Sequence, residues 1–253
     1  MATALQRNSQ MSEAEWQARQ QLAACYRIFD MLGWSEMIYN HITLRVPDEP
    51  DAFLINPYGL HYSEVCASNL VKIDIDGNKL DDNPYPVNLA GFVQHGVFHR
   101  HVPDAHCIMH THTTEAMAVA SIEGGLAPNN FYGVSFYGQV AYHDFEGITV
   151  RHEEGERLVE NLGDKRVMLL RHHGLIVMGE TLPEAFFKHY HFQRACEVQL
   201  AIAQAGKAIP IPPDVIAVHQ RDLHKVMIPG GTGKADFAAM VRKYDKIDTS
   251  WRD

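Results

Sequence analysis

The spacing of hydrophobic and polar positions changes several times along the chain and predicts helices interleaved with short strands. Apolar residues keep helical spacing between Ser12 and Gly33, and Ser12 with Glu15 forms a capping-box sequence at the start of that helix. Strict alternation over residues 41–46 and an apolar run at 53–56, separated by a turn sequence, predict two strands joined as a β-hairpin.

The second part of the chain continues this alternation. A helical pattern begins at Asn88 and stops at Pro103, and a Thr181/Glu184 capping box opens the longest helix, which should end at Gly206. Shorter patterns predict strands at 70–75, 136–143 and 167–170 and helices at 153–162, 215–223 and 237–244. Helices that precede, interrupt and follow the strands indicate a sheet covered on both faces.

Residues 104–115, DAHCIMHTHTTE, combine a strand pattern with candidate metal ligands. Alternate positions share one strand face and carry His106, Ile108, His110 and His112. The alternation stops at Thr113, which places His110 and His112 at a strand end. Two neutral imidazoles at i and i+2 can bind one divalent cation, and catalytic sites usually add a third protein ligand. The candidate third ligand lies in Leu169 to Val177, where one of the paired histidines His172 and His173 can bind the cation. His173 precedes a glycine, which permits close backbone approach.

Length and composition favour one large domain over residues 1–253, with 46% hydrophobic and 21% charged residues. A formal charge of −9 without a basic run argues against nucleic acid or an anionic membrane as a partner. The four widely spaced cysteines lack CxxC pairs, which predicts reduced thiols. Residues 1–10 lack an apolar h-region, and no apolar run approaches the roughly 18–20 residues of a membrane span, so we expect a cytoplasmic protein.

Other motifs are incomplete. The zincin pattern HExxH has Glu156 in place of its second histidine, and neither a P-loop nor a GxSxG nucleophile elbow is complete. Glu115 could serve as a carboxylate ligand beside the HTH pair in a cupin-like site. The helical pattern from Thr113 onward disfavours that alternative.

Five ordered segments resemble the class II aldolase/adducin family. They are GW…NHIT (Gly33 to Thr43), INPYGL (Ile55 to Leu60), PDAHCIMHTHT, YHDFEGI (Tyr142 to Ile148) and LLRHHGLIVMG (Leu169 to Gly179). The resemblance covers about residues 15–210 and leaves 211–253 as a C-terminal helical extension. It implies an α/β fold, a three-layer α/β/α sandwich with a mixed, largely antiparallel central sheet, assembled as a homotetramer with active sites near subunit boundaries.

The resemblance also implies a ligand set. In enzymes of this family a divalent cation, commonly zinc, binds the two histidines of the HxH sequence and the histidine before glycine, which match His110, His112 and His173. We therefore expect one divalent metal ion per subunit, zinc first, with manganese or iron as alternatives. Asn40 and Gly59 lie in the matching loops and are expected to contact substrate.

The chain departs from the sugar-phosphate aldolases of this family at the catalytic carboxylate. Their metal-binding glutamate is replaced by Gly91, and two phosphate-binding serines are replaced by Leu89 and Ala90. The Gly-Asn pair of the other phosphate loop reads Tyr39-Asn40. These replacements disfavour a phosphorylated ketose as the substrate.

Four residues are candidates for the missing acid or base. His95 lies one helical turn beyond Gly91 on the same face, where it could supply a proton or a hydrogen bond. Tyr142, His143 and Glu115 are the other candidates for a catalytic role.

The expected function is a metal-dependent carbon–carbon lyase that acts on a small unphosphorylated carbonyl or hydroxy-acid compound. A three-histidine centre can chelate adjacent oxygens and stabilise an enolate by Lewis acidity. The missing glutamate favours decarboxylation over aldol cleavage, because decarboxylation needs no base for a hydroxyl proton. Two alternatives are a non-haem iron oxygenase built on the same histidines and a non-catalytic, actin-binding scaffold of the adducin type. The intact triad favours an enzyme.

Overall fold

The computed structural model describes residues 11–147, 152–228 and 230–253. Seven strands in this part of the chain form one sheet: β1 His41–Arg45, β2 Ala52–Ile55, β3 Val71–Asp74, β4 Cys107–Thr111, β5 Val140–His143, β6 Val167–Leu170 and β7 Gly174–Gly179. Eight α-helices accompany them: α1 Glu13–Met31, α2 Leu89–His101, α3 Thr114–Ala120, α4 Phe131–Ser135, α5 His152–Leu162, α6 Leu182–Ala205, α7 Pro213–Val226 and α8 Lys234–Tyr244.

The sheet has the order β3-β2-β1-β4-β7-β6-β5. The β5–β6 pair is parallel, and the other five neighbouring pairs are antiparallel. The predicted hairpin is confirmed, since β1 pairs with β2. Strand β4, which carries the HTH sequence, lies in the middle of the sheet between β1 and β7.

Helices cover both faces of this sheet, so the predicted α/β/α sandwich is confirmed. Alternate strand residues point to opposite faces. Met109 and Val177 point to the layer formed by α1, α3, α6 and α8. Ile108 and Ile176 point to the layer formed by α2 and α5. The two faces therefore have separate apolar cores, and a side chain's position along its strand decides which helices it meets.

Side-chain caps start the helices at both predicted sites. The Ser12 hydroxyl accepts a hydrogen bond from the Glu15 N–H at 3.0 Å, and the Thr181 hydroxyl accepts one from the Glu184 N–H at 3.3 Å. The first capping box is only half formed, because the Glu15 carboxylate is held by Arg19 at 2.9 Å. A buried ion pair thus replaces the expected contact with the cap backbone.

One predicted strand is too long. Alternation over residues 136–143 predicted a single strand. In the structure the strand β5 begins at Val140, and the residues before it follow the short helix α4 and form a turn at Gly138, which has φ +70°. The Asn130 side chain accepts hydrogen bonds from the N–H groups of Tyr132 and Gly133 and starts that helix, α4. A local cap therefore outweighs the alternating pattern.

The predicted helix at 215–223 is longer in the structure and extends over α7. No helix in the described ranges is both long enough and apolar enough to cross a membrane. Residues 1–10 and Ile148, the last residue of the YHDFEGI segment, lie outside the described residues. So do the side chains of Leu89 and Ala90, the residues at the replaced serine positions.

Candidate metal centre

Three histidines from two distant segments meet at one end of the central strands. His110 lies in β4, His112 follows that strand, and His173 lies in the turn between β6 and β7. Pairing of β7 with β4 brings this turn beside the HTH sequence. The ring centroids of the three histidines are 4.6, 4.8 and 4.9 Å apart. Each ring offers one nitrogen such that all three nitrogens lie within 4.8 Å of one another.

Gly174 lets the turn approach this closely. A Cβ atom there would lie 2.5 Å from the Thr111 carbonyl oxygen and 3.0 Å from His112 Cδ2. Any side chain at residue 174 would push the turn away from β4. The close approach predicted from the His-Gly sequence is therefore present.

Hydrogen bonds orient two of the rings. His110 Nδ1 donates to the Leu175 carbonyl at 3.0 Å, and His112 Nδ1 donates to the Glu36 carboxylate at 2.5 Å. The Nε2 atoms of the two rings then face each other at 2.8 Å. Two facing lone pairs at this distance repel, so the arrangement favours a proton or a metal cation shared by the two nitrogens. Imidazole nitrogens oriented from behind by a carboxylate or carbonyl are the usual donors for zinc.

Electrostatics keeps two of the rings neutral. Burial, with smaller effects from neighbouring histidines, lowers the pKa of His110 well below its usual value. Burial and the nearby His112 lower the pKa of His173 to about 4. At neutral pH these rings have lone pairs available for a cation, which is the protonation state that metal binding requires.

Glu36 was not among the residues predicted from sequence. Its carboxylate holds the His112 ring from behind and belongs to the segment that contains the NHIT sequence. No spacing rule pairs residue 36 with residue 112, because they meet only after the chain folds. The nearest available signal was an acidic residue inside one of the family-like segments.

Asn40 lies beside the centre, and its side-chain amide forms hydrogen bonds with two backbone groups. Its amide nitrogen donates to the Trp34 carbonyl at 2.8 Å, and its oxygen accepts from the His112 N–H at 3.2 Å. Asn40 thereby holds the backbone that carries His112. Gly59 is an exposed turn residue with φ +98°. The substrate contacts predicted for both residues stay predictions.

His41 is a second residue that sequence reasoning missed. It lies directly opposite His110 in the β1–β4 register, with 5.0 Å between the ring centroids. A Cβ atom at Gly91 would lie 2.4 Å from His41 Cδ2 and 2.6 Å from His41 Nε2. The His41 ring thus fills the room that the missing side chain at residue 91 leaves open. The alternation that placed His41 and Thr43 on one strand face was the available signal.

His95 lies behind His41. Its ring is fully buried, with Nε2 3.0 Å from His41 Nδ1 and Nδ1 2.8 Å from the Thr43 hydroxyl. His95 therefore connects to the centre through His41. The catalytic role predicted for His95 stays a prediction. Its contacts place it behind His41, where it can hold that ring in position.

The structure does not bring Tyr142 or Glu115 to the three histidines. Tyr142 packs on the α3/α6 face of the sheet, opposite to the face of His110, and its hydroxyl accepts from the Leu126 N–H at 3.1 Å. Glu115 lies in the first turn of α3 on that same side and accepts a hydrogen bond from the Gln193 amide at 2.9 Å. Their predicted catalytic roles stay predictions.

Comparisons with known proteins agree on one family. Residues 20–200 match the family described as Class II Aldolase and Adducin N-terminal domain. Alpha-adducin of Rattus norvegicus is 46% identical over 192 residues, a match that covers 74% of this chain and 26% of that protein. The crystal structure of an aldolase II superfamily protein from Pseudomonas syringae is 38% identical, has a TM-score of 0.90, and matches 96% of this chain and 98% of that one.

An enzyme structure also matches. The solved structure of L-fuculose 1-phosphate aldolase from Glaciozyma antarctica PI12 is 26% identical and has a TM-score of 0.82. That match covers 100% of this chain and 96% of the other. The layered architecture therefore extends over the whole length of an aldolase.

Proposed function

Because the chain belongs to the class II aldolase and adducin N-terminal domain family, we propose that it is a divalent-metal-dependent carbon–carbon lyase. The observation that carries the proposal is the approach of His110 Nε2 and His112 Nε2 to 2.8 Å, each ring fixed from behind by an acceptor. With His173 they would hold one cation per subunit. Zinc fits this all-nitrogen set best, with manganese and iron as the alternatives.

A divalent cation bound there would supply Lewis acidity that stabilises an enolate-type anion. The chain's own residues supply the rest of the site. Glu36 and the Leu175 carbonyl fix the two imidazoles of the HTH pair, and Asn40 fixes the backbone at His112. Three imidazole ligands without a carboxylate ligand would leave the full positive charge of a bound cation available to an anionic substrate.

The substrate is proposed to be a small unphosphorylated carbonyl or hydroxy-acid compound. The family's phosphate-binding serines are absent from this sequence, where Leu89 and Ala90 stand, and Gly91 replaces the glutamate. The phosphorylated sugar named for the Glaciozyma antarctica aldolase therefore does not carry over to this chain. We propose a homotetramer as the assembled form.

Metal analysis of protein purified without added metal tests this proposal. Zinc or manganese at about one ion per chain, together with aldol cleavage or decarboxylation in a screen of small hydroxy and keto acids, would support the lyase. Iron together with substrate-dependent consumption of dioxygen would replace the lyase by an oxygenase. A chain that binds none of these metals after incubation with each would overturn both.

A second candidate is a non-catalytic scaffold, which the 46% identity to rat alpha-adducin favours. Scaffolding would use the protein surface and would not need the three histidines to converge. Co-sedimentation with actin filaments separates the two functions when it is measured for the wild type and for His173→Ala. Binding that is equal in both proteins, in a chain without bound metal, would favour the scaffold.

A further inference from the structure

A chain of hydrogen bonds runs from the metal centre into the interior of the protein. His41 Nδ1 lies 3.0 Å from His95 Nε2, and His95 Nδ1 lies 2.8 Å from the Thr43 hydroxyl. The same hydroxyl lies 2.7 Å from His99 Nε2, and His99 Nδ1 lies 2.8 Å from the Ala105 carbonyl oxygen. All four side chains are buried, three of them histidines. We refer to His41, His95, Thr43 and His99 as the histidine chain.

The carbonyl at the inner end gives this chain a direction. A carbonyl oxygen only accepts, so His99 Nδ1 carries a proton and His99 Nε2 is left as an acceptor. The Thr43 hydroxyl then donates to His99 and accepts from His95 Nδ1–H. His95 Nε2 consequently accepts from His41 Nδ1–H. The single proton of the neutral His41 ring is therefore on Nδ1, and Nε2 has none.

Neutral rings make this assignment unique, because each ring then has one N–H. Burial is the main cause that lowers the pKa of His99 to about 3 and the pKa of His95 well below its usual value. Within the described residues, these rings form hydrogen bonds with one another, with the Thr43 hydroxyl and with the Ala105 carbonyl, none of which is a carboxylate that could stabilise an imidazolium.

The outer end of the histidine chain is an unprotonated nitrogen beside the metal centre. His41 Nε2 occupies the space next to Gly91, and the ring faces His110 across the β1–β4 pair. Among the described residues, His110, His112 and His173 offer ligand nitrogens that lie within 4.8 Å of one another. His41 is not part of this group, so it lies beside the cation position. The residue His41 is 4% exposed, whereas His95 is fully buried.

We propose that His41 Nε2 is the hydrogen-bond acceptor for a substrate hydroxyl and takes the place of the carboxylate that Gly91 lacks. His95, Thr43 and His99 are positioning residues that hold His41 in the Nδ1–H tautomer. This inference rests on the proposed lyase function and narrows its substrate to a carbonyl compound with a hydroxyl on the carbon that is cleaved off.

Such an acceptor suits aldol cleavage. The hydroxyl proton passes to His41 Nε2, the O–H electron pair forms the new carbonyl bond, and the C–C electron pair moves to the carbon that becomes the enolate. Decarboxylation has no hydroxyl proton to remove. The histidine chain thus shifts the expectation from decarboxylation, which the absent glutamate favoured, to aldol-type cleavage.

Nitrogen NMR of the metal-free protein with labelled histidine rings tests the positioning role, since two-bond proton–nitrogen correlations report which ring nitrogen is protonated. We expect His41, His95 and His99 all to be Nδ1–H tautomers. Thr43→Val is nearly isosteric and removes the relay hydroxyl, so the His41 signal should change to a mixture of tautomers. Thr43→Ser restores the hydroxyl and should restore the single tautomer.

A wild-type His41 protonated on Nε2, or a Thr43→Val protein with an unchanged His41 tautomer, would overturn the inference. Because this measurement needs no metal and no substrate, it can fail while metal binding by the three histidines succeeds, and the reverse. In the metal-loaded enzyme, Thr43→Val should keep its metal content and lower kcat for aldol cleavage at least about tenfold. Loss of metal along with activity would indicate a merely structural role for Thr43 and would contradict the proposal.

Discussion

The imidazole of His41 lies where a side chain at Gly91 would project, since a Cβ atom there would be 2.4 Å from His41 Cδ2. The two residues come from β1 and α2 and are separated by fifty positions in sequence. Glycine at residue 91 and histidine at residue 41 therefore form a single fitted pair. Neither residue can be changed in size without a cost at the other.

This pairing predicts a coupled effect on stability. Gly91→Ala should destabilise the protein by about 1–3 kcal/mol, because the new methyl group overlaps a buried ring that is held by His95. The overlap is absent when His41→Ala is present as well. Urea unfolding of the two single variants and the double variant gives the interaction energy. If the destabilisations of the two single variants add up to that of the double variant within about 0.5 kcal/mol, the His41 ring moves aside without cost and the prediction is contradicted.

His173→Ala should abolish high-affinity metal binding, because two nitrogens remain where three converge in the structure. The neighbouring His172 is exposed and provides the matched control, His172→Ala, which should keep the wild-type metal content. Plasma emission analysis after dialysis against a weak chelator measures both. Full metal content and full activity in His173→Ala would show that the ligand assignment is wrong.

Glu36→Gln should weaken metal binding about 10–100-fold, since an amide replaces the carboxylate that holds His112 Nδ1. Glu115→Gln is the comparison, because Glu115 contacts Gln193 on the other side of the sheet. Competition with a coloured zinc chelator gives both affinities. If the Glu115 variant weakened metal binding instead, a carboxylate ligand at residue 115 would be indicated.

Gly174→Ala should displace the turn that carries His173. The added Cβ atom would meet the Thr111 carbonyl at 2.5 Å, and backbone cannot move aside as a flexible side chain can. We expect reduced metal affinity together with a loss of about 1–3 kcal/mol of stability. Gly124→Ala introduces the same methyl group where nothing lies within 4 Å and should change neither quantity. Similar behaviour of the two variants in chelator competition and urea unfolding would refute this account.

Two buried histidines outside the metal centre should make stability depend on pH. Burial is the main cause that lowers the pKa of His99 and of His189 to about 3 each. After unfolding their pKa returns to about 6.5, so below that pH the unfolded chain binds protons that the folded chain does not. Stability of the metal-free protein should therefore fall as the pH falls from about 6 to about 4, by ~1.4 kcal/mol per pH unit for each ring.

Urea unfolding across this range in the presence of EDTA measures the slope. His189→Phe removes one of the two rings and keeps an aromatic side chain between Phe29 and Trp34. The slope of the unfolding free energy against pH should decrease by ~1.4 kcal/mol per pH unit, because one proton fewer is taken up on unfolding. An unchanged slope would mean that His189 is protonated in the folded protein.

Local sequence patterns predicted the secondary structure well because caps and periodicity act over a few residues. The Ser12 and Thr181 caps, the β1–β2 hairpin and the placement of His110 and His112 at a strand end all follow from such short-range rules. The strand predicted from Phe136 failed for the same reason, since a second local signal, the Asn130 cap, competed with the alternation.

Spacing along the chain was enough to identify the candidate metal ligands, since the HTH sequence and the His-Gly turn are local features. Tertiary structure decided the remainder. Register between β4, β1 and β7 brought His173 and His41 to His110, and it left Tyr142 and Glu115 on the other side of the sheet. Strand order and register arise from pairings between segments far apart in sequence, so the contacts of Glu36 with His112 and of His41 with Gly91 exist only after the whole sheet has formed.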